Sequence, residues 1–263
     1  MINSMQQAII KKDLKGLVFN KRLFPALLIV PLMFTVVMPV IFILVIHFGP
    51  DDLSELRPLL EMLPVDAQTG DIRNVFMGIF FNNIMPVFFM IIPIMAATIM
   101  AASSFVGEKE KRTLETLLYC PLTLKQIFQS KVFASFFLSM LVSLGSFIIL
   151  LLVVQTGCLL TAGNLMPPNV NWLITLLLVA PSVSLMAITI IVRGSAKSQT
   201  MEEAQQKAVF LILPMLMLII GQFTGVLLVN AWLLLGLGAV FALASILLMK
   251  GGIRNFSYEK LLR

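Results

Sequence analysis

The sequence predicts an all-α integral membrane protein with six transmembrane helices. Its composition is far from that of soluble globular domains: 59% of the residues are hydrophobic, 12% are charged, and the mean hydropathy is +0.99. Four stretches carry no charged residue, namely 24–50, 74–107, 132–192 and 208–249. Each is at least as long as the roughly 20 residues that a helix needs to cross the hydrocarbon core.

The third and fourth stretches are each long enough for two helices. Turn-forming residues interrupt the third between Gly157 and Asn171 and the fourth between Gly221 and Asn230. Residues 75–106 are too long for one perpendicular span, so we expect the first third of this run to project outward or to lie in the outer interface. The predicted spans of this single transmembrane domain, residues 1–263, are approximately 24–48, 82–106, 132–156, 172–192, 208–222 and 231–249.

The basic residues predict the orientation of the chain. Seventeen of the nineteen Lys and Arg residues lie before residue 24, in 107–131, in 193–207 or after residue 249. The loop 49–74 holds the other two, Arg57 and Arg73, together with six acidic residues. By the positive-inside rule both termini are cytoplasmic, in a multi-pass protein of the cytoplasmic (inner) membrane. The net charge of +6 then reflects this asymmetry and anionic lipid headgroups, not nucleic acid.

Residues 1–23 predict an amphipathic helix that lies in the inner membrane interface. Ile10, Leu14 and Leu17 share one helical face, and three lysines, Lys11, Lys12 and Lys15, lie on the other. A basic tail that only enforces topology is the alternative. A cleaved signal peptide is excluded because the following apolar run is too long and lacks a small-residue cleavage site.

A dense mixed-charge segment, residues 107–131, lies between the second and third spans and predicts a short cytoplasmic helical hairpin. Glutamates alternate with basic residues in its first half, where three leucines recur at helical spacing. Thr123 followed by Gln126 is a capping-box pattern, which predicts a second helix that starts there.

This segment resembles the first cytoplasmic loop of ABC-2-type permeases, the membrane subunits of ABC exporters. Arg112 stands where the family often has Gly, at a bend before Thr113. The matching positions are Gly107, Glu108, Glu110, Thr113, Leu114, Glu115, Leu117, Leu118, Pro121, Ile127 and Lys131.

The resemblance implies a fold like that of type V ABC exporters. Residues 107–121 would then be a coupling helix seated in a groove of an ATPase subunit, and the N-terminal helix would touch the same subunit. Leu114 and Leu117 would fill the apolar groove, and Glu108, Glu110 and Glu115 would pair with basic groups on its rim. Residues 223–229 would form a re-entrant segment.

The implied function is that of the permease subunit of an exporter for an amphiphile, a peptide or a drug-like molecule. Two partner ATPases would bind ATP and Mg, and a second permease, identical or homologous, would complete the assembly. The chain itself is expected to be no enzyme and to hold no cofactor, since it has no Walker A loop.

The second cytoplasmic loop, residues 193–207, predicts a further ATPase contact through Glu202, Glu203 and Gln205. Thr200 with Glu203 three residues later is a helix-start pattern. The run Glu203, Ala204, Gln205 is similar to the sodium-export branch of the family, which keeps a sodium exporter as the alternative function.

The remaining residue types do not predict catalysis. His47, the only histidine, lies at the outer end of the first span without a triad pattern, and Cys120 and Cys158 predict neither a disulfide nor a metal site. No carboxylate, lysine or histidine is predicted inside the membrane, which disfavours a proton-coupled secondary transporter. A secondary transporter or a non-transporting membrane sensor remains the alternative function from a class other than ABC transporters.

Three further features predict local structure. Prolines 25, 31 and 39 predict kinks in the first span, and the acidic loop 49–74 has the leucines of a short external helix. The inner half of the second span predicts close approach to another helix through its small residues, and a helix of a second permease subunit is one candidate for that neighbour. These residues are Ala96, Ala97, Ala101, Ala102, Ser103 and Ser104.

Overall fold

The computed structural model describes residues 4–48, 72–113, 122–195, 198–223 and 230–254. In these ranges all regular secondary structure is helical. The α-helices are Ser4–Val18, Leu23–Leu32, Met38–Phe48, Ile72–Ile79, Met85–Phe89, Ile91–Phe105, Gly107–Glu110, Leu124–Ala162, Val170–Ile174, Ala180–Ser195, Met201–Phe223 and Ala231–Arg254. The π-helical segments are Met33–Val37, Phe80–Ile84 and Thr175–Val179.

Six helices in the described ranges are long and apolar enough to cross a membrane, which confirms the predicted number. Several continue beyond the predicted spans into polar sequence, because a helix does not have to end where its apolar run ends. The first to sixth spans are Leu23–Phe48, Arg73–Glu110, Lys125–Thr161, Val170–Ser195, Met201–Gln222 and Ala231–Met249.

The second span is the centre of the bundle. In its most apolar window 89% of the residues are buried, against 28% in the first span, 33% in the third and 22% in the sixth. It packs against the third and fourth spans most extensively and against the fifth span on a further side. The outward faces of the surrounding helices are apolar and exposed, for example at Leu160 and Phe210, as lipid contact requires.

The small residues of the second span are used within the chain. Ala96, Ala97, Ala101 and Ala102 are buried, with at most 2% of their surface exposed. They belong to the core cluster that the second span shares with the third, fourth and fifth spans. The predicted close helix approach is therefore confirmed, and the helices that approach belong to the same chain.

Each π-helical segment ends two residues before a proline. Proline has no N–H, and its ring clashes with the carbonyl group four residues earlier, so a regular α-helix is disturbed at these positions. The wider π turn accommodates the disturbance without ending the helix. The pairs are Met33–Val37 with Pro39, Phe80–Ile84 with Pro86, and Thr175–Val179 with Pro181.

Local signals set several helix ends. Thr123 caps the third-span helix in a capping box with Gln126, as predicted: the Thr123 Oγ1 accepts from the Gln126 N–H at 3.3 Å, and the Gln126 Oε1 accepts from the Thr123 N–H at 3.0 Å. That helix ends at Ala162 and is followed by Gly163, which has a left-handed φ of 67°. It is therefore longer at both ends than the predicted span 132–156.

The N-terminal helix, Ser4–Val18, packs against the beginning of the third span. Of its predicted apolar face, Leu17 is fully buried and Ile10 and Leu14 pack at the edge of the core. The amphipathic helix predicted in residues 1–23 is thus present, and the location of this helix at a membrane interface stays a prediction. The external helix predicted in 49–74, the re-entrant segment 223–229 and the coupling residues 114–121 lie outside the described residues, apart from residues 72–74 and 223.

Candidate functional site

The second span ends in a sharp turn directly before the segment that the sequence assigns to coupling. Its last helical turn is Gly107–Glu110, and the next but one residue, Arg112, is left-handed with a φ of 54°. The Arg112 N–H donates to the Lys109 carbonyl at 3.1 Å, and the Thr113 N–H donates to the Glu108 carbonyl at 2.9 Å. This pair of bonds around a left-handed residue is a Schellman motif, which terminates the helix.

The helix predicted over residues 107–121 is therefore interrupted at residues 111–113, where the resemblance implies a bend before Thr113. The bend falls at Arg112, where the family that this segment resembles often has Gly. Glycine adopts a positive φ without the steric cost of a side chain, so it suits this position. The Thr113 Oγ1 also donates to the Glu108 carbonyl, at 3.3 Å. Leu114, Glu115, Leu117, Leu118 and Pro121 lie outside the described residues, and their role stays a prediction.

The exit of the second span contacts the start of the fifth span. The Glu110 carboxylate accepts from the Met201 N–H at 3.0 Å, so an acidic side chain meets the N-terminus of the fifth-span helix, where negative charge is favoured. A Cβ atom at Gly107 would lie 3.0 Å from the Met201 Sδ. The two polar segments that the sequence singled out separately are thus adjacent.

Lys131 is the centre of a group of charged and polar residues, which we call the charged cluster and of which only Lys12 is exposed: Lys12, Asp13, Ser104, Glu108 and Lys131. The Lys131 Nζ donates to the Ser104 carbonyl at 2.5 Å and to the Glu108 Oε2 at 2.7 Å. It lies 3.8 Å from the Asp13 Oδ2. Only 4% of the Lys131 side chain is exposed, 6% of that of Asp13 and 10% of that of Glu108.

Two further contacts bring the N-terminal helix into the charged cluster. The Lys12 Nζ donates to the Glu108 Oε1 at 2.7 Å, so the two carboxylate oxygens of Glu108 bind lysines from two different helices. The Ser104 hydroxyl donates to the Asp13 Oδ2 at 2.8 Å. The cluster therefore joins the N-terminal helix, the exit of the second span and the beginning of the third span.

Asp13 has a raised pKa. Burial is the main cause, because it disfavours the charged carboxylate, and the nearby Glu108 acts in the same direction. The Lys131 ammonium, the Ser104 hydroxyl and Lys12 act against this shift but do not cancel it. With Lys12, which binds Glu108, the charged cluster holds two cations and two anions, so its formal charges balance.

Glu108 binds lysines of its own chain, and its pairing with basic groups on the rim of an ATPase stays a prediction. Both of its oxygens are engaged inside the chain. A buried ion pair of this kind contributes little net stability, because desolvation offsets the attraction, but loss of one partner costs about 3 to 5 kcal/mol. The charged cluster is therefore sensitive to single substitutions.

The second predicted contact region lies on the first turns of the fifth span. Glu202 pairs with Arg22 at 3.0 Å, where both side chains are exposed. The Thr200 Oγ1 accepts from the Glu203 N–H at 3.2 Å, which confirms the predicted helix start. The Glu203 Oε2 accepts from the Gln199 N–H at 2.9 Å, not from that of Thr200.

Gln205 faces a cavity between the second and fifth spans. The cavity has a volume of about 290 Å³. Its wall is apolar on the second span, with Ile94, Met95 and Ile99 next to Thr98, and polar where the fifth span begins. The lining residues of the fifth span are Glu202, Gln205, Gln206, Ala208, Val209 and Ile212.

An uncharged polar network lies at the opposite end of the second span, where the π segment Phe80–Ile84 frees backbone carbonyls. The Trp172 Nε1 donates to the Phe81 carbonyl at 3.1 Å, and the Asn171 Nδ2 donates to the Asn82 carbonyl at 3.0 Å. Pro86, four residues after Asn82, has no N–H for that carbonyl. The Gln222 Nε2 donates to the Asn83 carbonyl at 2.9 Å. Side chains of the fourth and fifth spans thus satisfy acceptors of the second.

The other described residues with reactive or metal-ligating side chains do not form a site. His47 lies at the exposed end of the first span, where its backbone carbonyl accepts from the Arg73 Nη1 at 3.2 Å. Cys158 is buried and is a free thiol. Among the described residues no group of three or more His, Cys, Asp or Glu side chains could hold a metal ion.

Sequence reasoning missed the charged cluster as a unit. Lys131 was singled out only as a matching position, and Asp13 not at all. The available signal was that Asp13 is the only acidic residue in the basic N-terminal segment, although its partner is far away in the sequence.

Comparison with known proteins gives one match. A sequence model of a family described as "ABC-2 family transporter protein" matches residues 7–254. The matched range begins in the N-terminal helix and ends with the last helix, so it includes all six spans. No curated protein and no solved structure matches the chain.

Proposed function

Because the chain belongs to the ABC-2 transporter family, we propose that it is the permease subunit of an ATP-driven exporter whose separate ATPase subunits bind and hydrolyse ATP. The observation that carries this proposal is the family match over residues 7–254, which covers every membrane span and the polar exit of the second span. The chain supplies the path through the membrane, and its partners supply the chemistry.

The ATPase contact is assigned to residues 107–121 and to the start of the fifth span. Leu114 and Leu117 fill an apolar groove of the ATPase, and the exposed Glu110 lies beside the same surface. The contact between Glu110 and Met201 supports this assignment, because it places the two polar segments next to each other. Closure of the ATPase dimer would then move the exit of the second span.

In the proposed orientation both termini are cytoplasmic and the protein lies in the cytoplasmic membrane. The distribution of basic residues supports it, since seventeen of nineteen lie on the predicted inner side. The charged cluster belongs to that side and the amide network near Trp172 to the outer side.

The assembly contains two ATPase subunits and a second permease, identical or homologous. The weakly buried fifth and sixth spans offer apolar faces for lipid or for that second permease. The substrate class that fits best is an amphiphile, including peptides and drug-like molecules. Support comes from the cavity between the second and fifth spans, which has an apolar wall and a polar end.

Purification of the tagged chain from its native membrane tests the proposal. We expect an ABC ATPase to copurify and the complex in lipid nanodiscs to hydrolyse ATP. A chain that carries Leu114→Asp and Leu117→Asp is the matched control and should lose the ATPase. Isolation without any ATPase, together with ATP-independent and uncoupler-sensitive flux of a lipophilic dye cation in inverted vesicles, would favour a secondary transporter instead.

A further inference from the structure

We propose that Lys131 and Asp13 are positioning residues for energy coupling, which hold the exit of the second span in fixed register with the third span and the N-terminal helix. This inference rests on the proposed function, because it concerns how movement of the ATPase-contacting segment reaches the membrane helices.

The three contacts of the Lys131 ammonium lead to different parts of the chain. The Ser104 carbonyl belongs to the last turns of the second span, and Glu108 lies one helical turn further on. Asp13 belongs to the N-terminal helix and is tied to the same place by the Ser104 hydroxyl, at 2.8 Å. One ammonium group of the third span therefore contacts both the exit of the second span and the N-terminal helix.

The pair of Glu108 and Lys131 also closes the base of the coupling segment. Glu108 lies just before the turn at Arg112, where the chain leaves the second span, and Lys131 lies in the helix by which the chain returns. The ion pair thus joins the two residues that flank the segment 109–130. A displacement of this segment pulls on both spans and not on one alone.

Burial makes these contacts hard to exchange. Side-chain exposures of 4% for Lys131, 6% for Asp13 and 10% for Glu108 mean that water cannot readily replace a lost partner. Independent movement of one helix would leave a charge buried and unpaired, which is strongly unfavourable. The three elements are therefore expected to move together, with Lys12 as an additional, more exposed tie to Glu108.

Spin-label distances in the complete complex test this inference. In a chain with Cys120→Ser and Cys158→Ala, labels are attached to Lys11→Cys and Lys125→Cys, two exposed positions on the N-terminal helix and at the start of the third span. A second pair joins Lys125→Cys to Val209→Cys, which is exposed on the fifth span. Distances are measured in nanodiscs with the ATPase bound, without nucleotide and after trapping with ATP and vanadate.

In the otherwise wild-type chain we expect the distance between labels 11 and 125 to stay the same in both states, while that between 125 and 209 shifts. In the variant Asp13→Asn/Glu108→Gln/Lys131→Met, which removes the buried charges together, the first distance should shift and broaden on trapping although the ATPase still copurifies. The control Lys15→Gln changes an exposed charge of the same N-terminal helix and should behave as wild type.

Three results would overturn the inference: a shift between labels 11 and 125 in the wild-type chain, an unchanged narrow distribution in the neutral variant, or no nucleotide-dependent shift of either pair. If the neutral variant does not assemble, Asp13→Ala alone decides, because it removes the contacts of Asp13 with Lys131 and Ser104 but keeps the pair of Glu108 and Lys131, and it must broaden the same distribution. Absence of ATPase from the wild-type preparation would instead overturn the proposed function, and it is seen before any label is attached.

Discussion

Glu108 and Lys131 form a buried ion pair of 2.7 Å that joins the end of the second span to the beginning of the third. In the sequence, Glu108 and Lys131 lie at the two ends of the polar segment between these helices. Each of the two has further partners, Lys12 for Glu108 and Ser104 for Lys131, so the pair is part of a satisfied group and not an isolated contact.

Removal of one member of this pair should be far more damaging than removal of both. Lys131→Met leaves two buried carboxylates without their central cation, and we expect a loss of about 3 to 5 kcal/mol in stability. Lys131→Met combined with Glu108→Gln should recover much of that loss. Thermal unfolding in detergent, followed by fluorescence-detected size exclusion, measures both, and equal melting of single and double variants would contradict the buried pair.

The raised pKa of Asp13 predicts a pH dependence of stability. The folded protein holds the Asp13 proton more tightly than the unfolded chain, whose pKa is near 3.8. The stability from this group is therefore complete below that value and falls as the pH rises towards the raised folded pKa. Asp13→Asn imitates the protonated form, so its thermal stability should change less with pH and should not fall below wild type at neutral pH. A steeper pH profile in the variant would refute this.

Arg112→Gly should stabilise the turn at the end of the second span. A residue with a side chain pays about 1 to 2 kcal/mol in the left-handed conformation, and Gly avoids this cost at some expense of entropy in the unfolded chain. We expect a small rise in melting temperature. Arg112→Val is the control and should lower it, because a β-branched residue tolerates a positive φ poorly. A lower melting temperature for Gly than for Arg would speak against the turn.

The orientation can be tested by cysteine labelling in intact cells. In a chain without Cys120 and Cys158, a cysteine at Asp66 should react with an impermeant reagent, and one at Gln199 should react only after the cells are opened. Gln199 is exposed next to the fifth-span helix, so burial does not protect it. Reaction of both positions in intact cells would contradict the six-span orientation.

Leu114→Asp with Leu117→Asp should release the ATPase. Burial of two leucines contributes at most about 3 to 6 kcal/mol, and carboxylates would abolish that contribution. The measurement is recovery of the ATPase with the tagged chain, with Glu55→Ala in the predicted external loop as the control. Normal recovery and normal transport in the double variant would remove the coupling role from residues 114–117.

The sequence predicts those parts of the structure that depend on local signals. Charge-free runs predict the six spans, and Thr123 with Gln126 predicts the start of a helix, because both signals act through neighbouring residues. Arg112 illustrates an intermediate case, since a bend was expected there but its Schellman geometry follows only from the observed backbone.

The charged cluster could not be predicted in the same way. Asp13 and Lys131 are brought together by packing of the N-terminal helix on the third span, and a charge next to an apolar run ordinarily indicates a solvated helix end. The small residues near Ala101 show a similar limit of local signals: their spacing predicts close packing but does not tell whether the neighbour belongs to the same chain.

The π segments before Pro39, Pro86 and Pro181 change which side chains of three spans face the bundle. A wide turn holds one residue more than a regular turn. One additional residue corresponds to about 100° of rotation around the helix axis. The buried stripe of each of these spans is therefore not one continuous repeat of about 3.6 residues: it moves by one sequence position where the chain passes through the π segment.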